Sequence, residues 1–223
     1  MRIVLLVLFA YILCPVRSFA QSEQNEELVE DILKELDYTI RHKEEYDRKK
    51  ERSIQLIKDN ILLAENDSVL YSLYNQLYKA YYNHQTDSAM HYVDLEIQLA
   101  PSLSWNAMNE IRMNQSELFS TMGMYKESID ALHSINKSEL TRAEVIRYMD
   151  LFRSVYVTMA SYALTNQSRG DYLRISEAYR DTLLSLYSPD DKRYVRLLAN
   201  RLIRQKKYKE AIETINRIPS SQI

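Results

Sequence analysis

The chain has 223 residues, with 29 Lys and Arg against 31 Asp and Glu, and 46% of it is hydrophobic, a share that excludes wholesale disorder. Only 2 Gly and 4 Pro occur, too few for the turns of a sheet protein or for a Gly-rich phosphate loop. Helices must therefore carry almost the whole chain, as one domain or two small ones.

Residues 1–20 have the form of an export signal. Arg2 gives a positive start, Ile3 to Cys14 is an unbroken apolar run, and Ser18-Phe19-Ala20 places small residues one and three positions before a cut. A helix of that run spans about 18 Å, short of the ~30 Å hydrocarbon core, so cleavage after Ala20 is expected rather than anchoring. Lipid attachment at Cys14 is disfavoured, because Tyr11, Ile12 and Leu13 offer no small residue and Pro15 follows. Cleavage removes Arg2, Arg17 and the sole Cys, leaving an acidic mature chain without thiols. That excludes a nucleic-acid partner on electrostatic grounds, and disulfides or Cys-based zinc sites outright.

Residues 26–65 predict a charged amphipathic helix. Leu28, Val29, Ile32, Leu33, Leu36 and Ile40, then Ile54, Ile57 and Ile61, recur at helical spacing with no Gly or Pro between them. The run Arg41 to Ser53 is nearly all charge, with Glu44–Arg48 and Glu45–Lys49 four apart in the favourable acid-first order. It reads as a solvated helix face rather than a basic docking patch.

From Asn66 onward, over 66–223, helix pairs repeat. Asn66-Asp67-Ser68 supplies a turn and an N-cap. Tyr71 to Pro101, Asn114 to Ile135 and Val195 to Pro219 each read as helix, short turn, helix. Thr141 and Glu144 have capping-box spacing and open a helix expected to reach about Leu164. Asn166 to Gly170 is expected to end it, with a second helix from Tyr172 to Tyr187 stopped by Ser188-Pro189. The Tyr71, Tyr74, Tyr78, Tyr81 and Tyr82 series, at spacings of three and four, reads as packing filler with hydroxyls at the rim before it reads as a ligand platform.

These passages resemble the tetratricopeptide repeat (TPR). Ser116, Phe119, Gly123, Tyr125 and Ser128 fill the small, aromatic and turn slots of one repeat; Ala199, Leu202, Tyr208, Ala211 and Ile215 do so in the last; Pro101 follows Ala89 at the consensus distance. Small residues are needed where paired helices approach closely. Ala89, Ser128 and Ala211 are spaced so that a further pair fits between the last two, at a period near 41. The expected architecture is all-α: a TPR-like α-solenoid of about four helix pairs preceded by a long N-terminal helix.

No catalytic, cofactor-binding or metal site is expected. There is no HExxH, GxSxG, Walker or EF-hand pattern, and His42, His84, His91 and His133 are dispersed. Alignment of the first helices instead points Glu110, Glu117, Arg193, Arg196, Asn200 and Arg204 into a concave groove. A groove of that kind binds an extended partner through polar side chains, and its basic end prefers an acidic group.

With Glu35 to Ile61, Asp87-Ser88-Ala89, Ala178 to Asp190 and Lys206 to Ile215 added, the chain resembles the periplasmic part of the Bacteroidetes TPR-containing transmembrane regulators. The resemblance implies an exported sensory or interaction module in the periplasm, binding a protein, peptide or glycan. Such regulators continue into a membrane helix, a coiled coil and a helix-turn-helix region, none of which the sequence supplies before Ile223. An independent periplasmic scaffold for envelope assembly is the alternative, and an unrecognised envelope enzyme a remoter one. At the C-terminal edge, Leu197, Leu198, Ile203, Ile212 and Ile215 are expected to lack a neighbour and to favour a homodimer or a docked continuation.

Overall fold

The computed structural model describes residues 28–217. The expected signal segment, 1–20, lies outside them. Two units are distinguished, Met1–Leu56 and Ile57–Ile223.

Helix α1 covers 28–41 in the first unit, and α2, Lys43–Ile61, begins in that unit after a single turn residue, His42. The sequence-based expectation of one helix over 26–65 is thus corrected to two segments. The His42 ring approaches the Tyr38 carbonyl oxygen at 2.7 Å and stacks on the Tyr38 ring, a local interaction that competes with regular helix. The expected Glu44–Arg48 and Glu45–Lys49 pairs both form, at 3.7 and 2.8 Å, on exposed side chains. Leu28, Val29, Ile32, Leu33, Leu36 and Ile40 all remain exposed.

The second unit is built of helix pairs. They are α3 (Asp67–Tyr81) with α4 (Thr86–Leu99), α5 (Trp105–Thr121) with α6 (Tyr125–His133), α7 (Arg142–Tyr162) with α8 (Asn166–Leu186), and α9 (Lys192–Arg204) with α10 (Tyr208–Ile215). Each second helix packs on the next first helix, α4 on α5, α6 on α7 and α8 on α9, and α5 also packs on α7. This is the all-α solenoid that the repeats predict, and no strand occurs among the described residues.

Side-chain caps set the helix starts. Asn66 Oδ1 accepts the Val69 N–H at 3.0 Å, and Thr141 and Glu144 close the expected capping box. Asp191 accepts the Arg193 N–H at 2.8 Å to open α9. The expected loop at Asn166 to Gly170 is wrong. Thr165 accepts the Ser168 N–H at 3.0 Å, so α8 starts at Asn166 and carries Gly170 within its second turn. A favourable cap outweighs one glycine, whose cost in a helix is roughly 1 kcal/mol.

Close approach within a pair rests on small side chains. Ser116 and Ser128 are fully buried with their oxygens 2.9 Å apart, and Ser128 also donates to the Ser116 carbonyl at 2.8 Å. Ala89 and Ala211 are buried at the corresponding slots. In the third pair the approach falls at Ser176, which donates to the Arg153 carbonyl 23 positions back. Its two 21-residue helices run further past their turn than those of the second pair, and this breaks the uniform period near 41. A core of Met113, Leu132, Ile135, Tyr148 and Phe152 joins the second and third pairs.

Two turns solve the same problem with different residues. Gly123, just past α5, has φ of 79°, and Lys206, just past α9, has φ of 61°. In both turns the following amide reaches back, Met124 to Phe119 at 2.8 Å and Lys207 to Leu202 at 2.9 Å, the closing bond of a left-handed C-terminal cap. Only glycine adopts that backbone without a Cβ penalty. Lys206→Gly is expected to stabilise the protein by about 1 kcal/mol, and Gly123→Ala to destabilise it by a similar amount, both checked by urea denaturation.

Candidate functional site

First helices α3, α5 and α7 are tied side by side through polar groups. Tyr71 Oη donates to Glu110 Oε2 at 2.6 Å and Tyr78 Oη to Glu117 Oε2 at 3.3 Å, each across 39 positions, one repeat. Lys79 adds an ion pair to Glu110 at 3.7 Å. Arg147, from α7, donates to Glu117 Oε2 at 3.0 Å and to Asn114 Oδ1 at 2.7 Å. Burial and the facing carboxylates push both tyrosine hydroxyls well above their usual range, so they remain donors. The tyrosines are thus packing residues whose hydroxyls reach the next repeat.

Next to this ladder lies a buried polar cluster in which several atoms are unpaired. Asn75 of α3, Glu96 of α4 and Asn114 of α5 are all buried, Glu96 completely. Neither Glu96 oxygen, nor the amide nitrogen of Asn75 or Asn114, has a hydrogen-bond partner. Burial pushes the Glu96 carboxyl up to about 8. The nearby Asn75 and Asn114 pull the other way, though neither amide reaches it in hydrogen-bonding geometry.

Three hollows open near the first helices. One of about 380 Å³ is lined by Glu117, Asp150, Ser154, Tyr82, Tyr125 and Tyr162, with further residues of α5 and α7. A second, of about 300 Å³, lies between Glu110, Met113, Ala143, Glu144 and Arg147. The third, about 560 Å³, is lined by Val157, Ala160, Ser161, Arg169, Leu173 and Arg204.

The six residues expected in one groove are not gathered in one hollow. Glu110, Glu117 and Arg204 line three different ones. Arg193 is held by Asp191 through a pair of bonds at 3.1 and 2.7 Å and lies 4.7 Å from the Tyr187 ring centre. These bonds hold the Asp191 carboxyl below its usual range. Arg204 donates at 2.7 Å to Glu177 Oε1, which also takes the buried Arg180. Arg196 and Asn200 are exposed on α9. Sequence reasoning missed Arg147, Asp150 and the buried Glu96. The repeat offset shared by Tyr71–Glu110 and Tyr78–Glu117 was a readable signal, because positions one repeat apart on successive first helices become lateral neighbours.

Among the described residues no group of three or more His, Cys, Asp or Glu could hold a metal ion. No described helix is long and apolar enough to cross a membrane. No curated protein matches this chain. The family model described as the SusR N-terminal TPR domain matches residues 40–222. Repeat domains of this type typically act as non-catalytic scaffolds for protein interaction. On that match the chain belongs to the SusR N-terminal TPR domain family, helical-repeat protein-interaction modules of SusR-like regulators.

Proposed function

We propose that this chain is the exported, periplasmic sensory half of a SusR-like regulator, without catalytic activity. It binds a protein or peptide ligand along the face that starts at α3, α5 and α7 and continues on to α9; a glycan is the other class the resemblance implies. The observation that carries this reading is the placement of Glu110 and Glu117 in successive hollows between α5 and α7, held by tyrosines and by Arg147. Polar side chains fixed in this way can read a ligand without first being ordered by it. Farther along, Arg180 and Arg204 share one carboxylate oxygen, which leaves an excess of positive charge beside the hollow lined by Arg169 and Arg204. That end of the face suits an acidic group.

The test is binding of a capped Ala-Ala-Glu-Ala-Ala peptide, followed by calorimetry. The double variant Arg196→Ala, Arg204→Ala is expected to weaken binding about tenfold with its helical circular dichroism intact. Unchanged affinity would remove both arginines from the site. A second reading, an independent scaffold that self-associates, draws on the exposed Ile203, Tyr208, Ile212 and Ile215 of the last pair. Leu197 does not belong to that edge as expected, because it is buried. Light scattering of the same samples tests the self-association: a strictly monomeric protein at high concentration removes it.

A further inference from the structure

The hollow that Glu117 and Asp150 share has a composition that the proposed binding face does not by itself explain. It lies between α5 and α7, closed by the end of α3 and the start of α6, and no Lys, Arg or His lines it. Glu117 and Asp150 are the charged groups on its wall, and their side chains are about 34% and 46% exposed, so a ligand can reach them. The cations nearest to them bind one oxygen each. Arg147 and Tyr78 both engage Glu117 Oε2, and Arg153 engages Asp150 Oδ1 at 2.7 Å. Glu117 Oε1 and Asp150 Oδ2 remain as acceptors that these groups do not use.

The rest of the wall is aromatic and rich in acceptors. Tyr125 and Tyr162 stand with ring centres 6.4 Å apart and planes 24° from parallel, an aromatic pair at the mouth of the hollow on which a cation can rest within ~6 Å of a ring centre. Tyr162 is 72% exposed, a large ring held out in solvent at the rim. Tyr82 lines the same hollow, with Glu117 and Thr121 close to its hydroxyl. Thr121 and Thr158 donate to carbonyls of their own helices, at 3.0 Å each, so both present lone pairs to the hollow rather than protons. A guanidinium or ammonium group needs acceptors and π faces, and the two carboxylates and the tyrosine rings of this wall supply both.

We propose that this hollow takes the guanidinium or ammonium group of a basic side chain on a partner peptide, resting against the Tyr125 and Tyr162 rings and bonded to Glu117 and Asp150. The inference rests on the reading of the α3, α5 and α7 face as the binding face, and it adds the ligand chemistry of one position on it. Together with the basic end near Arg204, it describes a face that reads opposite charges at two separate places along one extended partner.

The experiment titrates the full chain with a capped Ala-Ala-Arg-Ala-Ala peptide and with its citrulline analogue, a neutral group of the same shape, followed by amide NMR shifts. The arginine peptide is expected to move the amides around Ser120, Tyr125, Ser154 and Tyr162, and the citrulline peptide to bind about tenfold more weakly. Asp150→Asn and Tyr162→Ala should each weaken the arginine peptide about tenfold with the fold intact, since both side chains are partly or largely exposed. Equal binding of the two peptides, indifference to both variants, or no shift at millimolar arginine peptide would overturn the proposal. If the acidic peptide still binds through Arg196 and Arg204, the cation site alone falls. If neither peptide binds, the reading of the whole face falls with it.

Discussion

Raising the pH from about 5 to about 9 is expected to weaken this protein, and Glu96→Gln to abolish most of that loss. Glu96 is completely buried, its two oxygens lack hydrogen-bond partners, and its carboxyl is raised from 4.5 to about 8. The folded state therefore holds the Glu96 proton where the unfolded chain has released it. Its stabilising contribution is full below pH 4.5, declines as pH rises through the window to about 8, and is gone above it. The whole swing is on the order of a few kcal/mol, a large part of the stability of an ordinary domain. Glutamine has the shape of the protonated acid and no charge to expel, so the variant should match the parent near pH 5 and exceed it near pH 9. Urea denaturation at three pH values checks this, and parallel stability curves for the two proteins would sink it.

Phe152→Ala is expected to cost about 3 to 5 kcal/mol, the range for deleting a buried aromatic ring. Phe152 is fully buried at the centre of the core that joins the second and third helix pairs. Its ring stacks on Tyr179 at 4.9 Å and meets Tyr148 edge-on at 5.0 Å, contacts that add to the burial itself. The array has no disulfide among its described residues to compensate, because the chain's single Cys is Cys14. Tyr162→Ala, at an exposed ring on the same helix, should change stability by about 0.5 kcal/mol or less. The contrast separates a core residue from a rim residue of α7, and thermal denaturation of the two variants measures it. Equal losses would mean that the third pair does not pack as described.

Much of the architecture was legible because it depends on local rules. The Asn66 cap and the Thr141–Glu144 capping box are fixed by side chains within three residues of the groups they satisfy. The slots at Ala89, Ser128 and Ala211 were legible for a related reason: a small residue is required wherever two helices touch, and the connecting turn is short. The start of α8 was misread because Gly170 was given the weight of a breaker, whereas Thr165 supplied a cap well upstream of Tyr172, where the helix was expected to begin. The break at His42 was missed because its cause is a single side chain turned onto a carbonyl one turn back.

By itself the sequence determined the helical class, the repeat pairs and the confinement of its single Cys to position 14, since each follows from residue type and spacing along the chain. Only the tertiary structure decided which polar groups meet. Glu117 acquires Tyr78 from the preceding repeat and Arg147 from the following one, and Glu96 is enclosed between Asn75 and Asn114 from two other helices. It also set Glu110, Glu117 and Arg204 in three separate hollows and placed Asp150, Tyr125 and Tyr162 around the one with Glu117. The physical reason is distance along the chain. Helix starts and close contacts obey interactions over a few residues, whereas burial, charge pairing and a carboxyl's proton affinity depend on atoms that approach only when successive repeats stack.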